Sequence, residues 1–387
     1  MLLTIILFVV ILGLLVFVHE LGHFMAARRM GMAVDEFGFG FPPRAFGLYK
    51  NAVGTWKIVF RKTPESDQPR STIYSINWFP LGGFVRIKGE QGDKKNEADS
   101  FSFHKPWRRA VVLMAGVSMN VIFAFVLISI GAGIGLPGVV DESLPSYARV
   151  SNDQLQIVQV NDDTPAAQAG LQAGDTVLSI DDQEVASVSA FQEYTQPRLG
   201  KEMTITVRRG DEVTTHPVTP EALYEEGKGA IGTALAETAF ITYPWYIAPW
   251  IGLQTTISLL WQIIATFGII IAGLFTGQSA GVDVAGPIGV AALTGQVAQL
   301  GFIYVLQFAA ILSINLAIIN AIPFPALDGG RLLFVIIEKI RGKVIQHRTE
   351  TLIHNLGFML LMLLVVFVTF KDLNRFTSIF EKIGNIF

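Results

Sequence analysis

Residues 19–23 read His-Glu-Leu-Gly-His, and they lie inside the first long apolar stretch of the chain. Because an α-helix repeats every 3.6 residues, His19 and His23 share one helical face and can bind one metal ion together. Glu20 lies beside them, where a general base for a metal-activated water would be needed. Ionisable groups are costly in lipid and usually mark a functional site there. The motif therefore predicts a hydrolytic zinc centre buried in a membrane.

The composition is that of a multi-spanning membrane protein, since 51% of the 387 residues are hydrophobic and only 16% are charged. The chain contains no cysteine, so any zinc ion must be bound by histidine and carboxylate groups. The net charge is −3, and we predict no nucleic-acid partner. The expected partners are the lipid bilayer and proteins that lie within it.

Apolar stretches and the polar segments between them predict an α-helical polytopic membrane protein with about four core transmembrane helices. An α+β domain is inserted into it, and a small membrane-associated β-sheet lies on its cytoplasmic side. The predicted segments are a first transmembrane helix (1–29), a β-rich loop (30–108), a second transmembrane helix (109–136), the inserted domain (139–222), an uncharged linker (223–300), a third core helix (301–330), a basic loop (331–351), the last transmembrane helix (352–371) and a tail (372–387).

Alternation of apolar and polar residues predicts the strands of the sheet and of the inserted domain. In the β-rich loop the predicted strands are Thr55–Lys62, Ser71–Trp78 and Phe79–Lys88. In the inserted domain the predicted elements are the strands Leu155–Val160, Thr176–Ile180 and Met203–Arg208 and the short helices Ala166–Ala169 and Ser189–Gln196.

The distribution of charge predicts the orientation in the membrane. Residues 28–109 contain 15 Lys/Arg and 8 Asp/Glu, and residues 329–353 contain 5 and 2, so both segments are expected in the cytoplasm. Residues 137–237 contain 6 Lys/Arg and 17 Asp/Glu, and we expect the inserted domain outside. The linker then makes an even number of crossings. We prefer zero, with Trp250–Phe275 interfacial or re-entrant; two crossings, with Ala285–Ala298 as the second, are the alternative.

Zinc hydrolases use three protein ligands and one water, so the chain must supply a ligand besides the two histidines. Asp328 is the best candidate, because it follows an uncharged span in the sequence NAIPFPALDGG. The prolines interrupt a regular helix there, and Gly329-Gly330 allows a sharp turn. The predicted topology places Asp328 on the same side as His23. His354, near the start of the last span, is the rival ligand.

Two motifs and their context resemble the site-2 protease family of intramembrane zinc metalloproteases. These are His-Glu-x-x-His in the first span and Asn-x-x-Pro-x-Pro-x-Leu-Asp-Gly at residues 320–329. The segments Phe37–Phe41 and Pro80–Lys88 are similar to its bacterial branch, the RseP-type regulator-of-sigma-E proteases. The segment Thr164–Val185 resembles a PDZ domain of the bacterial type. Some members carry two PDZ copies, whereas this chain has room for one.

The resemblance implies a role for each matching residue. His19, His23 and Asp328 would bind Zn²⁺, and Glu20 would activate the water. Asn320 would steady the carbonyl of the scissile peptide, and Asn315 is a weaker candidate for the same role. The family cleaves single-span membrane proteins, often anti-sigma factors, in regulated intramembrane proteolysis. The implied location is the bacterial inner membrane, with the PDZ-like domain, whose ligand the sequence does not identify, outside the cytoplasm.

Two other classes of protein were weighed against a protease. A metal or ion carrier would use His and Asp ligands at mid-membrane, but the other spans are nearly bare of polar groups and a carrier has no evident use for Glu20. A catalytically silent scaffold would bind partners through the PDZ-like domain, but the complete metal-binding set argues against it. Of the three classes, only a protease would yield fragments that a zinc chelator suppresses.

Overall fold

A computed structural model describes the whole chain except residues 1, 52, 61–70, 91, 93, 95, 141–143, 162, 211, 224–228, 277–284, 344, 346 and 385–387. The chain divides into two compact units, one formed by residues 1–128 and 252–387 and the other by residues 129–251. The α-helices are α1 (Leu2–Arg29), α2 (Pro106–Ile134), α3 (Pro165–Gln168), α4 (Val188–Thr195), α5 (Ala248–Thr276), α6 (Pro287–Leu300), α7 (Phe302–Ala321), α8 (Asp328–Arg341) and α9 (His347–Gly384).

The strands form two sheets. They are β1 (Val34–Lys50), β2 (Trp56–Val59), β3 (Ile73–Ile87), β4 (Leu136–Val139), β5 (Arg149–Val160), β6 (Thr176–Ile180), β7 (Gln183–Glu184), β8 (Met203–Arg209), β9 (Glu212–Val218) and β10 (Thr233–Thr242). The first unit contains the sheet β2-β1-β3, and the second contains the sheet β4-β10-β5-β6-β8-β9, to which β7 is added beside β6.

Five helices of the described chain are long and apolar enough to cross a membrane: α1, α2, α5, α7 and α9. Four of them coincide with the predicted core spans. The fifth, α5, covers the segment Trp250–Phe275 for which the sequence favoured an interfacial or re-entrant position. Its length and composition also suit a crossing. The last helix is longer than predicted, because α9 runs without interruption through residue 372, where a tail was expected, to Gly384.

The predicted third span, 301–330, is two elements rather than one. Helix α7 ends at Ala321, a turn with two prolines follows, and α8 begins at Asp328. The prediction of a basic loop at 331–351 was wrong at both ends, since residues 331–341 belong to α8 and residues 347–351 belong to α9. Helix α8 forms because its apolar face is buried: Val335 is 3% exposed and packs in a cluster with Phe24 and Val112.

The sheet of the first unit lies along α1. A Cβ atom added to Gly82 would lie 2.6 Å from Val16 Cβ, and one added to Gly83 would lie 2.8 Å from Phe17 Cα. The prediction missed β1, because glycines and prolines interrupt its alternation in the sequence FGFGFPPRAFG. The predicted strands Ser71–Trp78 and Phe79–Lys88 are one strand, β3. Of the predicted strand Thr55–Lys62, residues 56–59 form β2 and residues 61–62 lie outside the described chain.

The inserted domain has its own core and extends beyond its predicted boundaries. The three predicted strands are confirmed as β5, β6 and β8, and the two helices as α3 and α4. The strand β10, at 233–242, pairs with both β4 and β5, so part of the predicted linker belongs to this sheet. Leu155, Ile180 and Ile205 are at most 1% exposed and form the centre of the apolar core.

Candidate metal centre

Three of the predicted site residues meet in the first unit. His19 Nε2 lies 2.9 Å from Asp328 Oδ2, and His23 Nε2 lies 3.2 Å from the same oxygen. The two Nε2 atoms are 3.1 Å apart. Each histidine is 6% exposed. The group therefore joins two stretches of sequence that are separated by more than 300 residues.

A second set of contacts orients the two imidazole rings. His23 Nδ1 lies 2.8 Å from the carbonyl oxygen of Val112, so Nδ1 must carry a proton and donate it. In the neutral ring, Nε2 then has no proton and presents its lone pair. The side-chain amide of Asn120, which is fully buried, lies 3.2 Å from His19 Nδ1. The two ends of an amide are assigned from its hydrogen bonds. If the Asn120 amide is turned so that Oδ1 faces the ring, Oδ1 accepts a hydrogen bond from His19 Nδ1–H. This orientation gives Oδ1 a partner, and it has no other among the described residues.

Helix α2 makes room for the rings at Gly116. A Cβ atom at this position would lie 2.4 Å from His23 Nε2 and 2.7 Å from His19 Nε2. Real Cβ atoms are essentially never found at such distances, so any larger residue would displace the rings. A second glycine, Gly22 of α1, allows the same two helices to approach closely, since its Cβ would lie 2.4 Å from the carbonyl oxygen of Ala115.

The donor atoms fit a zinc ion. Two imidazole lone pairs and one carboxylate oxygen converge, and zinc prefers nitrogen and oxygen ligands of this kind. Lone pairs that face one another repel unless a proton or a cation lies between them. Zinc–ligand bonds of about 2.0–2.1 Å in a tetrahedron separate the ligand atoms by about 3.3 Å, close to the separations found here. Both histidines also have the hydrogen-bonded Nδ1 atoms that are usual for metal ligands.

Glu20 opens onto a cavity beside the three ligand residues. The cavity has a volume of about 640 Å³. Its lining residues are Glu20, His23, Asp35, Phe84, Val85, Arg86, Ile87, Gly89, Glu90, Asp328 and Arg331. Strand β3 thus forms one wall, and Glu20, His23 and Asp328 form another. Arg331, one turn after Asp328, pairs with Glu90 and joins α8 to the loop that follows β3.

The other predicted site residues lie elsewhere. Asn315 donates a hydrogen bond of 3.0 Å to the carbonyl of Ile311 in its own helix. Asn320 is half-buried at the end of α7, and neither asparagine is among the residues that line the cavity. His354, the rival ligand, is not in the group that converges; its Nδ1 accepts a hydrogen bond of 2.9 Å from the backbone nitrogen of Ala326.

Comparison with known proteins gives the family. The model of peptidase family M50 matches residues 7–364, nearly the whole chain. The chain belongs to peptidase family M50. The regulator of sigma-W protease RasP of Bacillus subtilis is 30% identical, with 96% of this chain and 98% of that protein covered. The zinc metalloprotease RasP of Bacillus licheniformis is also 30% identical, over 96% of this chain and 99% of that protein.

Membership of family M50, the site-2 proteases, confirms the resemblance read from the two motifs. The chain is a zinc metalloprotease, and Zn²⁺ is its cofactor. It is also a multi-pass membrane protein with an inserted PDZ-like domain. The domain is 30% identical to the PDZ domain of an SdrC-like protein from Listeria monocytogenes, over 22% of this chain and 92% of that one, with a TM-score of 0.21.

The sequence analysis missed two residues of α2 that shape the site. Gly116 and Asn120 are four residues apart, so they share one face of the helix. A signal for Asn120 was present, because it is the only side-chain amide in the span Pro106–Ile134. Polar side chains in such spans are usually functional. No signal in the sequence distinguishes Gly116 from the other glycines of the same helix.

Proposed function

We propose that the chain cleaves single-span membrane proteins within or near their transmembrane segments, in regulated intramembrane proteolysis. His19, His23 and Asp328 bind the zinc, and Glu20 is the catalytic base. The observation that carries the proposal is the convergence of these three ligand atoms beside Glu20, on a helix of spanning length. A relative named as a regulator of sigma-W protease supports substrates that resemble anti-sigma factors.

The residues of the cavity have distinct tasks in peptide hydrolysis. Zinc, when bound, supplies a Lewis acid for the scissile carbonyl and lowers the pKa of water. Glu20 accepts a proton from the attacking water and transfers it to the leaving amine. Its position between His23 and the β3 wall suits both transfers. Asn320 keeps its predicted role of steadying the carbonyl, and Asn315 remains the weaker candidate.

Strand β3 provides a way to hold the substrate in an extended form. Backbone amides in a transmembrane helix are hydrogen-bonded internally, so a substrate must unwind before it can be hydrolysed. Residues 84–87 of β3 pair with β1 on one side, and they line the cavity that holds Glu20. We infer that an unwound substrate segment adds to this strand by backbone pairing, which places its carbonyl against the ligand residues.

The packing of α6 supports the predicted topology. Gly286 and Gly289 at its start donate backbone hydrogen bonds to Asp372 of α9. A Cβ added to Gly295 would lie 2.7 Å from Thr4 Cγ2. Thr4 lies at the end of α1 that is remote from Arg28 and Arg29, and Asp372 lies at the end of the apolar span Arg348–Leu373 that is remote from Arg348. We therefore place α6 at the outer side of the inner membrane, keep zero crossings between 223 and 300, and place the PDZ-like domain outside the cytoplasm.

Cleavage by purified protein tests this function. The protein is incubated in detergent with a single-span anti-sigma factor whose external domain has been shortened. We expect fragments that a zinc chelator abolishes and added zinc restores. Glu20→Gln should reduce the cleavage rate by about 10²–10⁴-fold, the usual contribution of a general base, while the zinc content stays at the wild-type value.

Glu212→Gln, which changes an exposed carboxylate of the inserted domain, is the matched control and should cleave at the wild-type rate. A fully active Glu20→Gln protein would refute the role of Glu20. Cleavage that continues in protein stripped of metal would refute the function itself.

A further inference from the structure

The last helix touches the turn that presents Asp328. His354 and Gly357 are three residues apart and share one face of α9. His354 Nδ1 accepts the hydrogen bond from the Ala326 backbone nitrogen, at 2.9 Å. A Cβ added to Gly357 would lie 2.4 Å from Pro325 Cβ and 2.6 Å from its carbonyl oxygen. Both contacts fall on the two residues at the apex of the turn, two and three positions before Asp328.

The turn needs support from outside its own sequence. Ala326 has a φ of 82°, in the left-handed region that costs a residue other than glycine roughly 1–3 kcal/mol. Such a conformation persists only where the surroundings determine it. Pro323 and Pro325 have no N–H to donate, so the Ala326 N–H is one of few donors that can anchor this segment. His354 supplies its acceptor.

The state of the His354 ring follows from this contact. Since Nδ1 accepts a hydrogen bond, the proton of the neutral ring lies on Nε2. Nε2 is buried and has no hydrogen-bond partner among the described residues. The ring also packs against Phe334 of α8, with centroids 5.3 Å apart. His354 thus contacts the turn before Asp328 and the helix after it, without reaching the three converging ligand atoms.

We propose that His354 is a positioning residue for the metal centre. Through Ala326 it fixes the turn that directs the Asp328 carboxylate towards His19 and His23, and so it sets the affinity for zinc. This inference rests on the proposed ligand set. It assigns to the last helix a part in metal binding that neither of the two sequence motifs contains.

Zinc affinity of the purified full-length protein, measured by competition with a chelator, tests the proposal. His354→Phe keeps an aromatic ring against Phe334 but removes the acceptor, and we expect its affinity to fall by about 10–100-fold, as for other residues that support metal ligands. His354→Asn places a carbonyl oxygen near the position of Nδ1 and should restore most of the affinity. Asn355→Ala, at the next and exposed position, is the control and should bind zinc as the wild type does.

Cobalt substitution adds a spectroscopic readout. The absorption of bound Co²⁺ reports its coordination, and we expect His354→Phe to alter that spectrum while Asn355→Ala does not. If His354→Phe does not fold, Gly357→Ala serves instead, since its Cβ presses on Pro325 in the same turn and should also weaken zinc binding.

Three results would overturn the proposal. The first is wild-type zinc affinity in a folded His354→Phe protein. The second is an equal loss of zinc affinity in His354→Asn and His354→Phe. The third is wild-type zinc affinity in Gly357→Ala, if that variant has to replace His354→Phe. Failure of the wild-type protein itself to bind zinc would instead refute the proposed metal centre.

Discussion

Two aspartates, one in each unit, are withdrawn from solvent but face opposite kinds of atoms. The Asp175 side chain is 1% exposed and is surrounded by donors. Its carboxylate accepts hydrogen bonds from Arg209 Nε at 2.6 Å, Arg209 Nη2 at 2.7 Å and the Gln172 backbone nitrogen at 2.9 Å. The Asp328 side chain is 17% exposed, and its Oδ2 faces the Nε2 atoms of His19 and His23.

The difference is that between a structural carboxylate and one placed to bind a metal, as we propose for Asp328. Every contact of Asp175 with Arg209 or Gln172 pairs an acceptor with a donor, so the group is satisfied by the protein alone. Around Asp328, neutral rings whose Nδ1 atoms donate to the Val112 carbonyl and to the turned Asn120 amide have Nε2 as an acceptor, and acceptors alone do not satisfy one another. A cation bound between these atoms would satisfy all three. The comparison predicts that changes at the two sites have separable effects.

Removal of the metal-binding carboxylate should have the largest effect. Asp328→Asn takes away one of the three proposed protein ligands, and we expect zinc affinity to fall by more than about 100-fold, the upper end of what the loss of a supporting residue costs. Asp175→Asn, the matched change in the other unit, should leave the affinity unchanged. The measurement is chelator competition on purified protein. Equal zinc affinity in Asp328→Asn and wild type would contradict the proposal that Asp328, unlike Asp175, binds the metal.

Filling the space beside the histidines should have the next largest effect. Gly116→Ala places a Cβ atom 2.4 Å from His23 Nε2, so the rings must move. We expect zinc affinity and cleavage rate to fall together by about 10–100-fold. Gly133→Ala in the same helix is the control, because the nearest atom to its Cβ would be Ala248 Cβ at 3.8 Å. Wild-type zinc affinity in Gly116→Ala would show that the two imidazole rings can accommodate a Cβ atom on α2.

The convergence of His19, His23 and Asp328 could be predicted because its signals are local. The His-Glu-x-x-His spacing places both histidines on one face of any helix. Because the surrounding residues are apolar, that face could not be an ordinary solvent-exposed face. Asp328 was found because two prolines before it and two glycines after it mark a broken helix at the end of an uncharged span. These features depend only on residues that are near one another in sequence, and the structure brings the three ligand residues together.

Features that depend on contacts between distant elements could not be predicted. Strand β1 escaped detection because its pairing with β3 tolerates glycines and prolines that break the alternation. Helix α8 was predicted as a loop because its basic residues suggested a solvent-exposed segment. In the structure, the burial of Val335 against α1 and α2 stabilises the helix. The contact between Gly116 and the histidines arises only when α2 packs on α1, so its importance is invisible in the sequence.

The smallest predicted effect concerns Asp175. Burial alone raises the pKa of this carboxyl, but the Arg209 guanidinium and the Gln172 N–H outweigh it, so the pKa of Asp175 lies below its ordinary value. A pKa lowered by folding stabilises the folded domain fully above the unfolded value of about 3.9, and this stabilisation is lost as the pH falls through the folded value. Asp175→Asn should therefore destabilise the domain at pH 7 by about 1–3 kcal/mol, and the difference should shrink below about pH 4.

Hydrogen exchange of the β6 amides in the full-length protein measures this difference, with Glu212→Gln as an exposed control that should show none. A penalty for Asp175→Asn that stays constant from pH 7 to about pH 3 would mean that packing, and not the charge of the carboxylate, stabilises this site. The contrast with Asp328 would then rest on the metal centre alone, because only there would the charge of a buried aspartate be essential.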